Sequence, residues 1–165
     1  FADANSMSLA TDRNNRNIIV SRTLSKSFSL AGLRLGYAVG PVKLIDALNK
    51  IKDSYNLSTL TQTLALAALN DIDHMTANVA RIRTTRARLT AALRARGWHV
   101  LESQANFVFA RPPDGNAAGC FEQLRARGVF VRHFPGPRTE HFLRISIGTD
   151  AEIDRLLDHL TEIQP

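Results

Sequence analysis

Short apolar runs alternate with longer stretches of helical period along this chain, and that alternation limits what it can fold into. Asn17–Arg22 (NIIVSR) packs Ile18, Ile19 and Val20 into the run of a buried strand. Leu33–Val39 (LRLGYAV) predicts a second strand, stopped by Gly40-Pro41. Pro41 suits the first turn of a helix over 41–52, with Val42, Ile45, Leu48 and Ile51 on one face. After a turn at Asp53–Asn56, Ser58 or Thr59 can cap a helix that holds Leu60, Leu64, Ala67 and Ala68 and ends near Asn70. Asp71 or Asp73 starts a long helix to about Arg96, its apolar positions running from Ile72 and Met75 to Leu89 and Leu93, with Gly97 as its stop. A strand over 106–110, a helix over 117–127 ended by Gly128, strands over 129–134 and 142–147, and a helix over 151–163 capped by Asp150 complete the pattern. Residues 1–16 read as polar loop with a short helix. The fold class is α/β, with no internal repeat and no low-complexity linker.

With 165 residues the chain can bury one ordinary core. A hydrophobic share of 44% and a charged share of 22% are those of a soluble globular protein. No apolar run approaches the roughly 18 residues of a membrane span, so no membrane partner is expected. The opening FADANSMSLA lacks a basic region followed by an apolar one, so no secretory signal is expected either. The single cysteine, Cys120, excludes an internal disulfide and fits a reducing, cytoplasmic setting; beside Phe121 in a predicted helix it reads as packing. The net charge of +6 raises nucleic acid as a partner. Many of the arginines, however, lie in Arg81–Arg96, interleaved with Ile82, Leu89 and Leu93 at helical spacing and with no aromatic residue. A solvated helix face accounts for them, and no nucleic acid is expected. His74, His99, His141 and His159 share no metal-ligand spacing and have no cysteine partners, so no metal is expected. Gly32 and Gly36 lack the third glycine of a dinucleotide fingerprint.

One stretch carries chemistry. Thr23-Leu24-Ser25-Lys26-Ser27-Phe28-Ser29-Leu30-Ala31-Gly32-Leu33-Arg34-Leu35-Gly36-Tyr37 places one lysine among hydroxyls, with a strand before it and an arginine eight residues after it. By itself a lysine in a Ser-rich turn is commonly a solvated surface group. These flanks instead suit a lysine held as a Schiff base on a phosphorylated cofactor: Thr23, Ser25 and Arg34 can hold a phosphate, the last through a planar two-pronged contact, and Lys26 can reach an aldehyde. The segment RTLSKSFSLAGLRLGY resembles the pyridoxal-phosphate lysine segment of fold type I aminotransferases, and most closely that of the histidinol-phosphate aminotransferase family.

That resemblance implies a good deal. Lys26 is the Schiff-base lysine, and Thr23, Ser25, Lys26 and Arg34 bind pyridoxal 5'-phosphate. The chain is the C-terminal part of a fold type I pyridoxal-phosphate-dependent transferase more than twice its length. Residues 1–70 are the end of the large cofactor-binding domain, and residues 71–165 the small α/β domain with a long connecting helix that closes over the site. Family members carry upstream an Asp for the pyridine nitrogen and a Tyr for the ring hydroxyl, so these 165 residues alone are expected to be inactive. The implied reaction takes histidinol phosphate and 2-oxoglutarate to imidazole-acetol phosphate and glutamate, in histidine biosynthesis, within a cytoplasmic homodimer. Alternatives are another fold type I enzyme, such as a threonine-phosphate decarboxylase or an aromatic amino-acid aminotransferase, or a non-catalytic dimerisation or folding fragment.

Three further residues are candidates for the substrate. In Phe142–Thr149 (FLRISIGT), strand alternation sets Arg144 and Ser146 opposite Leu143, Ile145 and Ile147. Arg144 is then an edge arginine facing water or a partner for an incoming carboxylate; the resemblance of LRISIGT to the family's carboxylate-binding segment implies the latter. The resemblance also implies that Arg132, in Val131-Arg132-His133-Phe134, helps hold the substrate's phosphate, and that Asn106 lies near the substrate. His133 falls on the opposite face from Arg132 and reads as structural or exposed. Tyr55-Asn56 resembles a family segment near the subunit interface.

Overall fold

The computed structural model describes residues 1–2, 7–12 and 14–163; residues 3–6 and 13 of the predicted opening loop lie outside them. The chain divides into two compact units, Ala2–Asn78 and Val79–Pro165, the latter with Phe1.

The first unit holds α1 (Met7–Thr11), β1 (Val20–Thr23), β2 (Gly36–Val39), α2 (Val42–Ile51), α3 (Thr59–Leu69) and the start of α4 (Ile72–Ala95). β1 and β2 form an antiparallel ladder, pairing Val20 with Val39 and Thr23 with Gly36. The predicted strand 33–39 is shorter than expected because its first residues turn. Ala31–Leu33 make a 3-10 turn, and Arg34 takes the left-handed conformation with φ 53°. A strand resumes only at Gly36, where the backbones come so close that a Cβ would sit 2.6 Å from the Arg22 carbonyl oxygen. The helix starts follow their caps. The Ser58 side chain accepts from the Thr61 amide, and the Asp71 carboxylate accepts from the His74 amide at 3.3 Å. Among the described residues of this unit only Leu24 and Ala65 are buried apolar side chains. The apolar face of α2 forms as its period predicts, but Val42, Leu48 and Ile51 stay exposed on it.

The second unit contains the rest of α4, then β3 (His99–Val100), β4 (Phe107–Arg111), α5 (Ala117–Ala126), β5 (Arg132–His133), β6 (Leu143–Ser146) and α6 (Asp150–Ile163). Its four-stranded sheet is antiparallel throughout, in the order β3-β4-β6-β5. Leu89 and Leu93 of α4, Cys120 and Leu124 of α5, and Ile153, Leu156 and Leu160 of α6 pack with Val108, Ala110, Leu143 and Ile145 in one core. Each of the leucine, isoleucine and valine side chains contributes about 1.5–3 kcal/mol on burial. Gly97 and Gly128, at φ 78° and 73°, end α4 and α5 in the same way. In each case the following amide reaches back five residues: Trp98 to the Leu93 carbonyl at 3.1 Å and Val129 to the Leu124 carbonyl at 2.9 Å.

Three sequence expectations change here. Thr149, not Asp150, caps α6: its hydroxyl accepts from the Glu152 amide while the Glu152 carboxylate accepts from the Thr149 amide, a reciprocal box. Asp150 instead accepts from the buried Thr85 hydroxyl at 2.9 Å and pairs with Arg88 at 3.0 Å. The arginines of α4 are accordingly more than a solvated face. Arg94 pairs with Glu102 at 2.6 Å, and Arg86 donates to the Ala105 carbonyl at 2.7 Å. Finally, the predicted strand 129–134 pairs only at Arg132 and His133: the Val129 amide is taken by the Leu124 carbonyl at the end of α5, and Val129–Val131 with Ile145–Gly148 line a cleft of about 340 Å³.

Candidate functional site

The lysine loop begins where β1 ends. Leu24 donates its amide to the Leu35 carbonyl at 3.1 Å, and Leu30 donates to Leu24 at 3.2 Å, so the loop is closed at its base and folded back on itself. Leu24, 3% exposed, anchors that closure by burying its side chain. Above it the Thr23 hydroxyl lies 2.8 Å from the Ser25 hydroxyl and accepts from the Ser25 amide at 3.1 Å. Lys26 follows, exposed, in a turn closed by the Ser29 amide on its carbonyl at 3.0 Å. Ser29, at φ 57°, takes a conformation that costs a non-glycine residue roughly 1 kcal/mol or more. Ser27 and Ser29 line one side of a cleft of about 300 Å³ whose other wall includes Ala68, Asp71 and His74.

Arg34 ends the same loop. Its guanidinium donates to the Ala31 carbonyl at 3.1 Å, which uses one of five N–H donors and leaves the others for a ligand. Thr23, Ser25, Lys26 and Arg34 thus lie on one closed loop, carrying two hydroxyls, an amine and a guanidinium. A phosphate ester and an aldehyde are the groups such a donor set can hold.

The second unit presents a separate cluster on the sheet face away from its helices. Arg132 of β5 stands directly opposite Arg144 of β6, and Phe109 of β4 stands opposite Arg144 on its other side. The Arg144 guanidinium carbon lies 5.6 Å from the Phe107 ring centre and 5.5 Å from that of Phe134. The Arg132 guanidinium carbon lies 5.5 Å from the same Phe134 ring. Phe109 and Phe142 stack at 4.8 Å beside them. Two cations bedded in aromatic rings make a surface for anions. Asn106 takes a different position. Its carbonyl accepts from the Ile147 amide at 2.9 Å, which extends the ladder by one residue in phase with Val108 and Ala110, not with Phe107. His133 points as expected to the helix side, where its ring meets Phe121 and its Nε2 lies 2.7 Å from the Glu140 carbonyl.

The structure brings Arg132 and Arg144 together, and it sets Thr23, Ser25, Lys26 and Arg34 in one loop. The four phenylalanines around the arginines were missed by sequence reasoning. Their signal was present in the alternation of Phe107 with Phe109, Arg132 with Phe134 and Phe142 with Arg144. Cys120 is buried as expected, and desolvation, with Asp114 adding to it, pushes its thiol up to about 11. Among the described residues no cluster could hold a metal ion, and no helix is long and apolar enough to cross a membrane.

Comparison with known proteins gives this geometry a family. The family model of aminotransferase class I and II matches residues 1–160, and the chain belongs to that family. A histidinol-phosphate aminotransferase of Microcystis aeruginosa is 47% identical over 147 residues, 89% of this chain and 42% of that protein. One of Geobacter sp. strain M21 is 46% identical over 165 residues, 100% of this chain and 47% of that protein. The solved histidinol-phosphate aminotransferase of Sinorhizobium meliloti, in complex with pyridoxal-5'-phosphate, superimposes with a TM-score of 0.80 at 31% identity, covering 91% of this chain and 42% of that one. The fold is that of the fold type I pyridoxal-phosphate transferases, and the chain spans about half the length of the curated relatives it matches.

Proposed function

We propose that this chain is the lysine-bearing and substrate-arginine-bearing part of a pyridoxal-phosphate-dependent aminotransferase. Its reaction converts histidinol phosphate and 2-oxoglutarate to imidazole-acetol phosphate and glutamate, in histidine biosynthesis. One observation carries the reading: Lys26, the paired Thr23 and Ser25 hydroxyls, and Arg34 all lie on a loop closed at its base by Leu24 and Leu35. That donor set fits the cofactor. Thr23, Ser25 and Arg34 would hold its phosphate and Lys26 its aldehyde carbon; among the described residues no hydrogen bond or ion pair engages the Lys26 amine. The cofactor, when bound, supplies an electron sink for the substrate carbon. Lys26 Nζ would take the proton from that carbon and deliver it to the cofactor's C4′ carbon, a transfer that the turn at Lys26–Ser29 aims by fixing the backbone from which the side chain extends. Arg144 takes the carboxylate of the 2-oxo acid, and Arg132 takes the phosphate of the amino donor. Asn106 is proposed near the substrate.

Residues 1–70 are read as the end of the large domain and residues 71–165 as the small one. The full protein is read as a cytoplasmic homodimer with no nucleic-acid or membrane partner. Uncovered apolar side chains in the first unit support such an assembly: Tyr55 is 97% exposed, Ile51 80% and Val42 74%. The test uses the full-length protein. Borohydride reduction in the presence of the cofactor should trap the pyridoxyl group on Lys26, and Lys26→Ala should abolish turnover of histidinol phosphate. A label on Lys43, Lys50 or Lys52 refutes the assignment.

A further inference from the structure

Arg132 and Arg144 present a problem that their roles do not resolve. They are directly opposite each other on adjacent strands, and like charges so placed repel. Among the described residues no carboxylate pairs with either of them; the arginine ion pairs of this unit include those of Arg88, Arg94, Arg125 and Arg127. What they share is a ring. Phe134, two residues after Arg132 on the same face, lies 5.5 Å from the Arg132 guanidinium carbon and 5.5 Å from that of Arg144. A ring face is electron-rich, and a cation within about 6 Å of its centre is attracted to it.

We infer that Phe134 is a positioning residue that holds both guanidinium groups toward one substrate space, and so sets the affinity for both anionic substrates. The inference rests on the reading of Arg132 and Arg144 given above. A guanidinium bedded on a ring keeps its N–H edge free, so the fork still meets carboxylate or phosphate in its plane. Phe107, 5.6 Å from Arg144, supports that arginine alone. Among the described residues Phe134 alone lies against both, and this gives it a distinct signature. Each arginine variant should affect chiefly its own substrate, whereas loss of the Phe134 ring should affect both.

The experiment uses the full-length enzyme, with steady-state kinetics for histidinol phosphate and for 2-oxoglutarate. Phe134→Leu and Phe134→Met keep apolar bulk and remove the ring; Phe134→Tyr keeps the ring. The first two should raise both KM values by about 5- to 20-fold, the range open to a pair of such contacts, with kcat changed less than about twofold. Phe134→Tyr should restore both KM values to within about threefold of normal. Arg132→Ala and Arg144→Ala serve as the reference. If they raise KM and the two ring-less variants do not, the positioning role is overturned and the arginine assignment stands. If neither arginine variant moves a KM, the assignment fails and this inference with it. A fall in kcat at unchanged KM, equal damage in Phe134→Tyr, or loss of folding in both ring-less variants would show a merely structural ring.

Discussion

Gly36 sits where the fold and the lysine loop meet, so its replacement tests whether the loop depends on the β1–β2 ladder. A Cβ built at this position lies 2.6 Å from the Arg22 carbonyl oxygen and 3.7 Å from the Thr23 Cα. That oxygen belongs to backbone and has no rotamer to escape into. To reach ordinary van der Waals contact the two strands must separate locally by roughly 0.8 Å. The adjacent closure, Leu24 amide to Leu35 carbonyl at 3.1 Å, would then exceed hydrogen-bond range. Overpacking costs about 1–3 kcal/mol and the lost hydrogen bond about 1 kcal/mol more. The strain falls on the base of the loop that carries Thr23, Ser25 and Lys26. In the full-length Gly36→Ala protein, cofactor affinity should fall by about 10- to 100-fold, and turnover at saturating cofactor should also fall, since a displacement near 1 Å can cost roughly 100-fold. Titrating the apoprotein with pyridoxal phosphate by absorbance, then assaying transamination, measures both. Gly32→Ala is the control, because nothing lies within 4 Å of a Cβ there. Normal cofactor binding and activity in Gly36→Ala would refute the coupling of ladder to loop.

Acid stability should depend on Asp150. The Thr85 hydroxyl first, and Arg88 next, hold its carboxyl below the usual carboxylate range. A depressed pKa gives stability that is present above the unfolded-state value and lost as pH falls through the folded one. Thr85→Val removes the larger cause, so part of that stability should be missing already at neutral pH, and the acid unfolding midpoint, read by circular dichroism, should rise relative to the parent. An unchanged acid midpoint would deny Thr85 that role. Arg34→Ala in the full-length protein should weaken cofactor retention by about 10- to 150-fold, the value of one charge-assisted contact, as measured by dialysis. Cys120 is 3% exposed with its thiol pushed up to about 11, so a thiol reagent at pH 8 should label it only after denaturant unfolds the second unit. Rapid labelling of the native protein would contradict the packing described.

Much of this architecture was legible along the chain because its causes are local. Ser58, Gly97 and Gly128 marked helix ends through hydrogen bonds that span a few residues, and the apolar period of α4 set Leu89 and Leu93 on the face that packs inward. The Thr23–Tyr37 motif was legible for the same reason: its hydroxyls, amine and guanidinium lie within one short stretch. The exchange of caps at the start of α6 was not. Thr149 and Asp150 can each cap a helix, and only the approach of Thr85 and Arg88, more than sixty residues away, draws Asp150 aside. Left-handed Arg34 and the close strand approach at Gly36 likewise answer to contacts across the ladder, so Leu33–Val39 read as one strand when a turn interrupts it. The sheet order β3-β4-β6-β5 is a matter of pairing between distant segments, which periodicity does not encode. That pairing alone set Arg132 opposite Arg144 and put Phe134 against both. Sequence determined the residues that can carry charge and the faces they occupy; strand register decided which of them share a space.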